Sequence, residues 1–137
     1  MDGQGKQILV VDDHESNRRL LAEVFAQGRY RVHQAADGYE AFVHMRRTRY
    51  DAIVTDWEMP RINGRELVTL VRFLWPHTPI IVVSGQAKPS SYGELRGTFA
   101  WLQKPFAVPE LLDLLDRAID TCAYQHHDAS AATASVV

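Results

Sequence analysis

Residues 53–60 read Ile53, Val54, Thr55, Asp56, Trp57, Glu58, Met59 and Pro60 (IVTDWEMP), an apolar run that ends on a carboxylate and leaves regular structure before a proline. A charge withdrawn from water is costly unless it is paired or metal-bound, so Asp56 is either solvated at a turn or committed to chemistry. Four other apolar runs stand in the chain: QILVV before Asp12, YRVHQA around Val32, PIIVV before Ser84 and FAWLQ before Lys104. Residues 8–11 and 80–83 are apolar without alternation, the pattern of strands covered by helices on both faces of a parallel sheet.

Helical patterns separate the runs. HESNRRLLAEVFAQG places Leu20, Leu21, Val24 and Phe25 on one stripe, with Gly28 as its stop. GYEAFVHMRR carries Ala41, Phe42 and Met45, and NGRELVTLVRFLW carries Leu67, Leu70, Val71 and Leu74 before Pro76 ends it. The last helix starts near Pro109 and carries Leu111, Leu112, Leu114, Leu115, Ala118 and Ile119. The fourth, SGQAKPSSYGELRGT, contains Pro89, Gly93 and Gly97 and is expected to be short or irregular. Residues 125–137 lack an apolar stripe, so a disordered tail is expected, with His126 and His127 as solvated residues of it.

Composition narrows the function. With 137 residues, 46% hydrophobic and 23% charged, the chain is sized for one domain with its own core. A net charge of −2 gives no electrostatic reason for direct nucleic-acid binding. The single cysteine, Cys122, excludes an intrachain disulfide and suits a reducing cytoplasm. No signal peptide or membrane anchor is visible, so a cytoplasmic protein without membrane contact is expected.

Strands alternating with helices through right-handed crossovers give a doubly wound α/β sheet, whose sites gather at the carboxyl ends of the strands. Asp12 and Asp13, Asp56, Ser84 and Lys104 all fall at that edge. Singly, each has an ordinary structural reading as a cap, an Asx turn or a loop residue. Together, three crowded carboxylates call for a hard divalent cation, and magnesium, with its preference for carboxylate, carbonyl and water oxygens, fits. With a lysine and a serine nearby to hold phosphoryl oxygens, one carboxylate can act as nucleophile in phosphoryl transfer.

In LVVDDHESNRRLL, VTDWEMPRINGRELV, IIVVSGQA and WLQKPF, in this order, the chain resembles the receiver domains of two-component response regulators from Gln7 to Tyr124. The resemblance implies a flavodoxin-like five-stranded parallel sheet in the order 2-1-3-4-5 with five helices, and a receiver domain over 1–124. It implies that Asp56 accepts a phosphoryl group from a sensor histidine kinase or a histidine phosphotransfer protein. Asp13 would bind magnesium directly and Asp12 mainly through water, joined by Asp56 and the backbone carbonyl of Trp57. Ser84 would hydrogen-bond the phosphoryl group, Lys104 would pair with it, and a cis bond to Pro105 would aim Lys104. Pro60 and Gly64 match the loop and helix start after the acceptor.

On phosphorylation Ser84 would move and Trp101, where Tyr or Phe is usual, would turn inward, altering the face made by the fourth helix, fifth strand and last helix. That face would serve a downstream partner, an output domain outside this chain, or a phosphorylation-linked dimer. A buried indole needs a partner for its N–H, so packing without switching is the competing reading of Trp101. Glu58 and Gln86 occupy positions that modulate the lifetime of the phosphoaspartate in this family. His14, beside the acids, is a weaker metal-ligand candidate, since magnesium needs no imidazole. Two rivals stand against the receiver reading. One is an aspartate-nucleophile phosphatase of the haloacid dehalogenase kind, which places its nucleophile at the first strand with a second Asp two residues on. The other is a receiver-like interaction module that signals without phosphorylation.

Overall fold

A computed structural model describes residues 3–90, 93 and 96–136, with side chains described as far as Cys122. Among the described residues five strands and four helices alternate: β1 (Gln7–Val11), α1 (Glu15–Gln27), β2 (Arg31–Ala35), α2 (Gly38–Arg47), β3 (Ala52–Thr55), α3 (Gly64–Leu74), β4 (Ile80–Ser84), β5 (Ala100–Gln103) and α4 (Val108–Val136). All pairings are parallel and the order is β2-β1-β3-β4-β5, the flavodoxin-like sheet expected. The stretch expected to form a short or irregular fourth helix, residues 84–98, includes residues 91, 92, 94 and 95, which lie outside the described residues.

Although the strands read as continuous apolar runs, their side chains divide by parity between two cores. Ile8, Val10, Val54, Ile81 and Val83 meet Phe25 of α1 and Leu111 and Leu115 of α4. Leu9, Val11, Ile53, Ile80 and Val82 meet Met45 of α2 and Leu67 and Val71 of α3. Only one stripe of each helix reaches a core, so Leu21 and Phe25 are buried while Leu20, one residue off the line, is 60% exposed. Leu74 is exposed for the same reason, and Trp75 packs edge-on against Phe42.

Local signals set the helix ends. Asp37 caps α2 by accepting the Glu40 N–H, and Asn63 and Glu66 form a reciprocal capping box on α3. Gly28 ends α1 as expected, but the left-handed residue there is Arg29, with φ 70°. The backbone of α4 is helical to Val136, through the segment expected to be a disordered tail; that segment has no Gly or Pro and is rich in Ala, the strongest helix former. No described helix is long and apolar enough to cross a membrane.

Candidate functional site

In a parallel sheet every strand ends on the same edge, and the register brings these ends together. Thr55 pairs with Val11 and Val82, and Ser84 with Gln103, so Asp12, Asp56, Ser84 and Lys104 line one edge of four adjacent strands. Backbone bonds fix the strand ends: Asp56 N–H donates to the Val11 carbonyl at 2.9 Å, and Lys104 N–H to the Ser84 carbonyl at 2.8 Å. The Lys104–Pro105 bond is cis, as expected.

Carboxylate oxygens of Asp12, Asp13 and Asp56 and a ring nitrogen of His14 lie within 4.8 Å of one another. Asp12 is buried, Asp13 is exposed and Asp56 is half-buried. Against three acids the nearest ammonium is that of Lys104, whose Nζ is 3.7 Å from Asp12 Oδ2. Burial is the main reason the Asp56 carboxyl is pushed above its ordinary range; the Trp57 N–H, donating to Oδ1 at 2.7 Å, and Lys104 oppose this, while Asp12 and Asp13 add to it. The site is short of positive charge. Three clustered carboxylates, with the nucleophile candidate among them destabilised as an anion, suit a hard divalent cation.

The loop after Asp56 is pressed against the start of α3. A Cβ on Gly64 would stand 2.4 Å from the Asp56 carbonyl oxygen and 2.6 Å from Trp57 Cα, so no larger residue fits without moving the acceptor loop. Gly64 N–H donates to the Trp57 carbonyl at 2.8 Å, which directs that expected metal ligand toward α3 and leaves it one lone pair.

Ser84 is buried, and its Oγ accepts the Gln86 N–H at 3.1 Å. The Gln86 side chain donates to Glu58, joining the loops after β3 and β4, and the Gln86 backbone carbonyl accepts the Trp101 indole N–H at 3.1 Å. Trp101 is half-buried with its ring edge-on to Trp57, centroids 5.0 Å apart. The indole N–H thus has the partner it needs, and Gln86 is the residue that ties Ser84, Glu58 and Trp101 together.

Two features carried no sequence signal. Arg18 on α1 donates to the Asp12 carbonyl at 2.9 Å and to Gln34 at 3.2 Å, which braces the turn bearing the acids. Arg61 grips Asp37 through Nε at 2.6 Å, tying the loop after Asp56 to the start of α2.

The response regulator receiver domain family matches residues 8–116. The chain is 37% identical over 111 residues to the response regulator receiver protein Anae109_2439 of Anaeromyxobacter sp. (strain Fw109-5), covering 80% of this chain and 47% of that one, so it spans about half of that relative's length. The solved structure of the chemotaxis response regulator CheY4 of Vibrio cholerae superposes with a TM-score of 0.77 at 34% identity, covering 83% of this chain and 98% of that one. The receiver domain of sensor histidine kinase PA1611 from Pseudomonas aeruginosa PAO1, which holds a magnesium ion in its active-site cleft, superposes with a TM-score of 0.77 at 31% identity, covering 85% and 98%.

Proposed function

This chain belongs to the response regulator receiver family of two-component signalling, and from that premise we propose that Asp56 accepts a phosphoryl group from a phosphohistidine on a partner kinase or phosphotransfer protein. In this reading an Asp56 oxygen attacks phosphorus, the phosphorus–nitrogen bond breaks, and the histidine nitrogen keeps the electron pair. The chain acts as a signalling module that turns over only its own phosphoryl group, in the cytoplasm where its kinase domain would reach it, and the domain occupies 1–124.

The observation that carries the reading is the convergence of Asp12, Asp13 and Asp56 with the Lys104 ammonium at one sheet edge. Asp13 and Asp56 would hold magnesium directly and Asp12 through water, with the Trp57 carbonyl able to contribute only its second lone pair. Magnesium would supply charge neutralisation and a bridge to phosphoryl oxygens. Lys104, already beside Asp12, is within reach of the incoming negative charge. The Ser84 hydroxyl can donate to a phosphoryl oxygen while still accepting the Gln86 N–H.

A phosphoryl group adds roughly −1.5 to −2 charges at the edge. Movement of Ser84 toward it would pull on Gln86, and through it on Glu58 and Trp101, which is how the change would reach a downstream partner, an output domain or a dimer face. Phosphotransfer from a set of histidine kinases tests the proposal. One stoichiometric, magnesium-dependent phosphorylation is expected, absent in Asp56→Asn. Labelling that persists in Asp56→Asn, or steady multiple turnover of phosphomonoesters, would refute it.

A further inference from the structure

We infer that His14 is an additional metal ligand at this edge and gives the site a preference for imidazole-binding divalent ions, zinc and cobalt, over magnesium beyond what its carboxylates alone provide; the inference rests on the metal reading above. His14 is the N-cap of α1, yet its side chain makes no capping bond to the helix. The side chain is 67% exposed, and its Nδ1 stands 3.5 Å from Asp12 Oδ1 and 3.4 Å from Asp13 Oδ1. Its own N–H donates to Asp12 Oδ1 at 2.9 Å, so the backbone holds the ring beside the acids.

The spacing is that of ligands on one ion. Two donors each about 2.1 Å from a cation stand about 3.0 Å apart at an octahedral angle and about 3.4 Å apart at a tetrahedral one. The 3.4 Å from His14 Nδ1 to Oδ1 of Asp13, the carboxylate of this pair that would bind the ion directly, matches the wider value. Donor type points the same way. Carboxylate and water suit magnesium, whereas an imidazole added to two or three carboxylates suits zinc and cobalt, and octahedral magnesium gains little from it. A histidine that only screens the acids would face them equally well, but it would not discriminate between ions.

The test titrates the full chain at pH 8 with magnesium, zinc and cobalt, following tryptophan fluorescence and the visible absorption of bound cobalt, in the parent and in His14→Asn. Both carry His126→Asn and His127→Asn, and only the cobalt that magnesium displaces is counted. His14→Asn keeps a good N-cap residue. It is expected to weaken zinc and cobalt about tenfold and magnesium less than about twofold. In the parent the His14 ring protons should show a paramagnetic shift with cobalt. Magnesium binding in both proteins with an unchanged zinc-to-magnesium ratio and no ring shift overturns the inference and leaves the metal reading standing. No magnesium binding in either protein overturns both.

Discussion

Asp37 and Asp56 each follow a strand at the carboxyl edge of the same sheet, and their surroundings push them in opposite directions. Asp37 is buried, which alone would raise its pKa, but the Glu40 N–H at 2.9 Å, the Arg61 guanidinium and the Tyr39 backbone outweigh burial and hold it below its ordinary range. Asp56 is less buried, yet burial dominates there, because one backbone N–H and Lys104 are offset by Asp12 and Asp13. The protein completes the charge balance of one carboxylate and leaves the other wanting. A carboxylate that holds loops together is satisfied from within, whereas one poised for an incoming ion and phosphoryl group is left under-neutralised.

The largest expected contrast is in stability. Asp37→Ala removes a helix cap and a charge-assisted pair and should cost about 2 to 4 kcal/mol. Asp56→Asn keeps an acceptor for the Trp57 N–H while removing like-charge repulsion, and should gain on the order of 1 kcal/mol. Urea unfolding of both variants decides this; shifts of the same sign would dissolve the contrast.

How far each aspartate could be read from the chain follows from the same difference. Asp12, Asp56, Ser84 and Lys104 were legible because each ends or follows an apolar run, and parallel runs must share one edge. The bond between Asp37 and Arg61 joins residues 24 apart in two loops, where no periodicity connects them. The hub at Gln86 was foreseen only as a position that tunes lifetime. Its bond to the Trp101 indole is accepted by the Gln86 backbone carbonyl in the loop after β4 and depends on which way the indole turns, and strand pattern does not encode that. Coverage of the sheet on both faces is legible in the unbroken apolar runs, but the misplacement of Leu20 on the α1 stripe shows that a helix's angular limit is set by what it packs against.

Metal response should sharpen the comparison by a smaller amount. At ten times its dissociation constant a bound ion stabilises the folded state by about 1.4 kcal/mol. Thermal melts with and without magnesium should show this gain in the parent and in Asp37→Asn, and little of it in Asp56→Asn. An equal gain in all three would mean that the ion sits elsewhere.

The pH dependences should also oppose. Asp37 has a folded pKa below its unfolded value of about 3.9, so the unfolded state binds more protons between the two. Its contribution is complete above the unfolded value and is lost as pH falls through the folded one. Asp56 has a raised folded pKa, so the folded state binds more protons. Its penalty is complete above the folded value and fades as pH falls toward about 3.9. Measured between pH 7 and pH 3, the stability advantage of Asp56→Asn over the parent should shrink, whereas the deficit of Asp37→Asn should persist until the most acid points. A parallel decline of both differences would contradict the assigned directions.

The smallest effect separates charge from backbone at Arg61, which holds Asp37 while sitting at φ 63°, a left-handed conformation that favours glycine. Arg61→Ala loses the ion pair and keeps the backbone cost of about 1 to 2 kcal/mol. Arg61→Gly loses the same pair but relieves that cost, at the expense of about 0.4 to 1 kcal/mol of extra freedom in the unfolded chain. Glycine should therefore be the more stable of the two by about 0.5 to 1 kcal/mol, with the Asp37 titration moved equally in both. If alanine proved as stable as glycine, the left-handed turn would impose no cost at this position. The grip on Asp37 would then be the whole reason an arginine stands there.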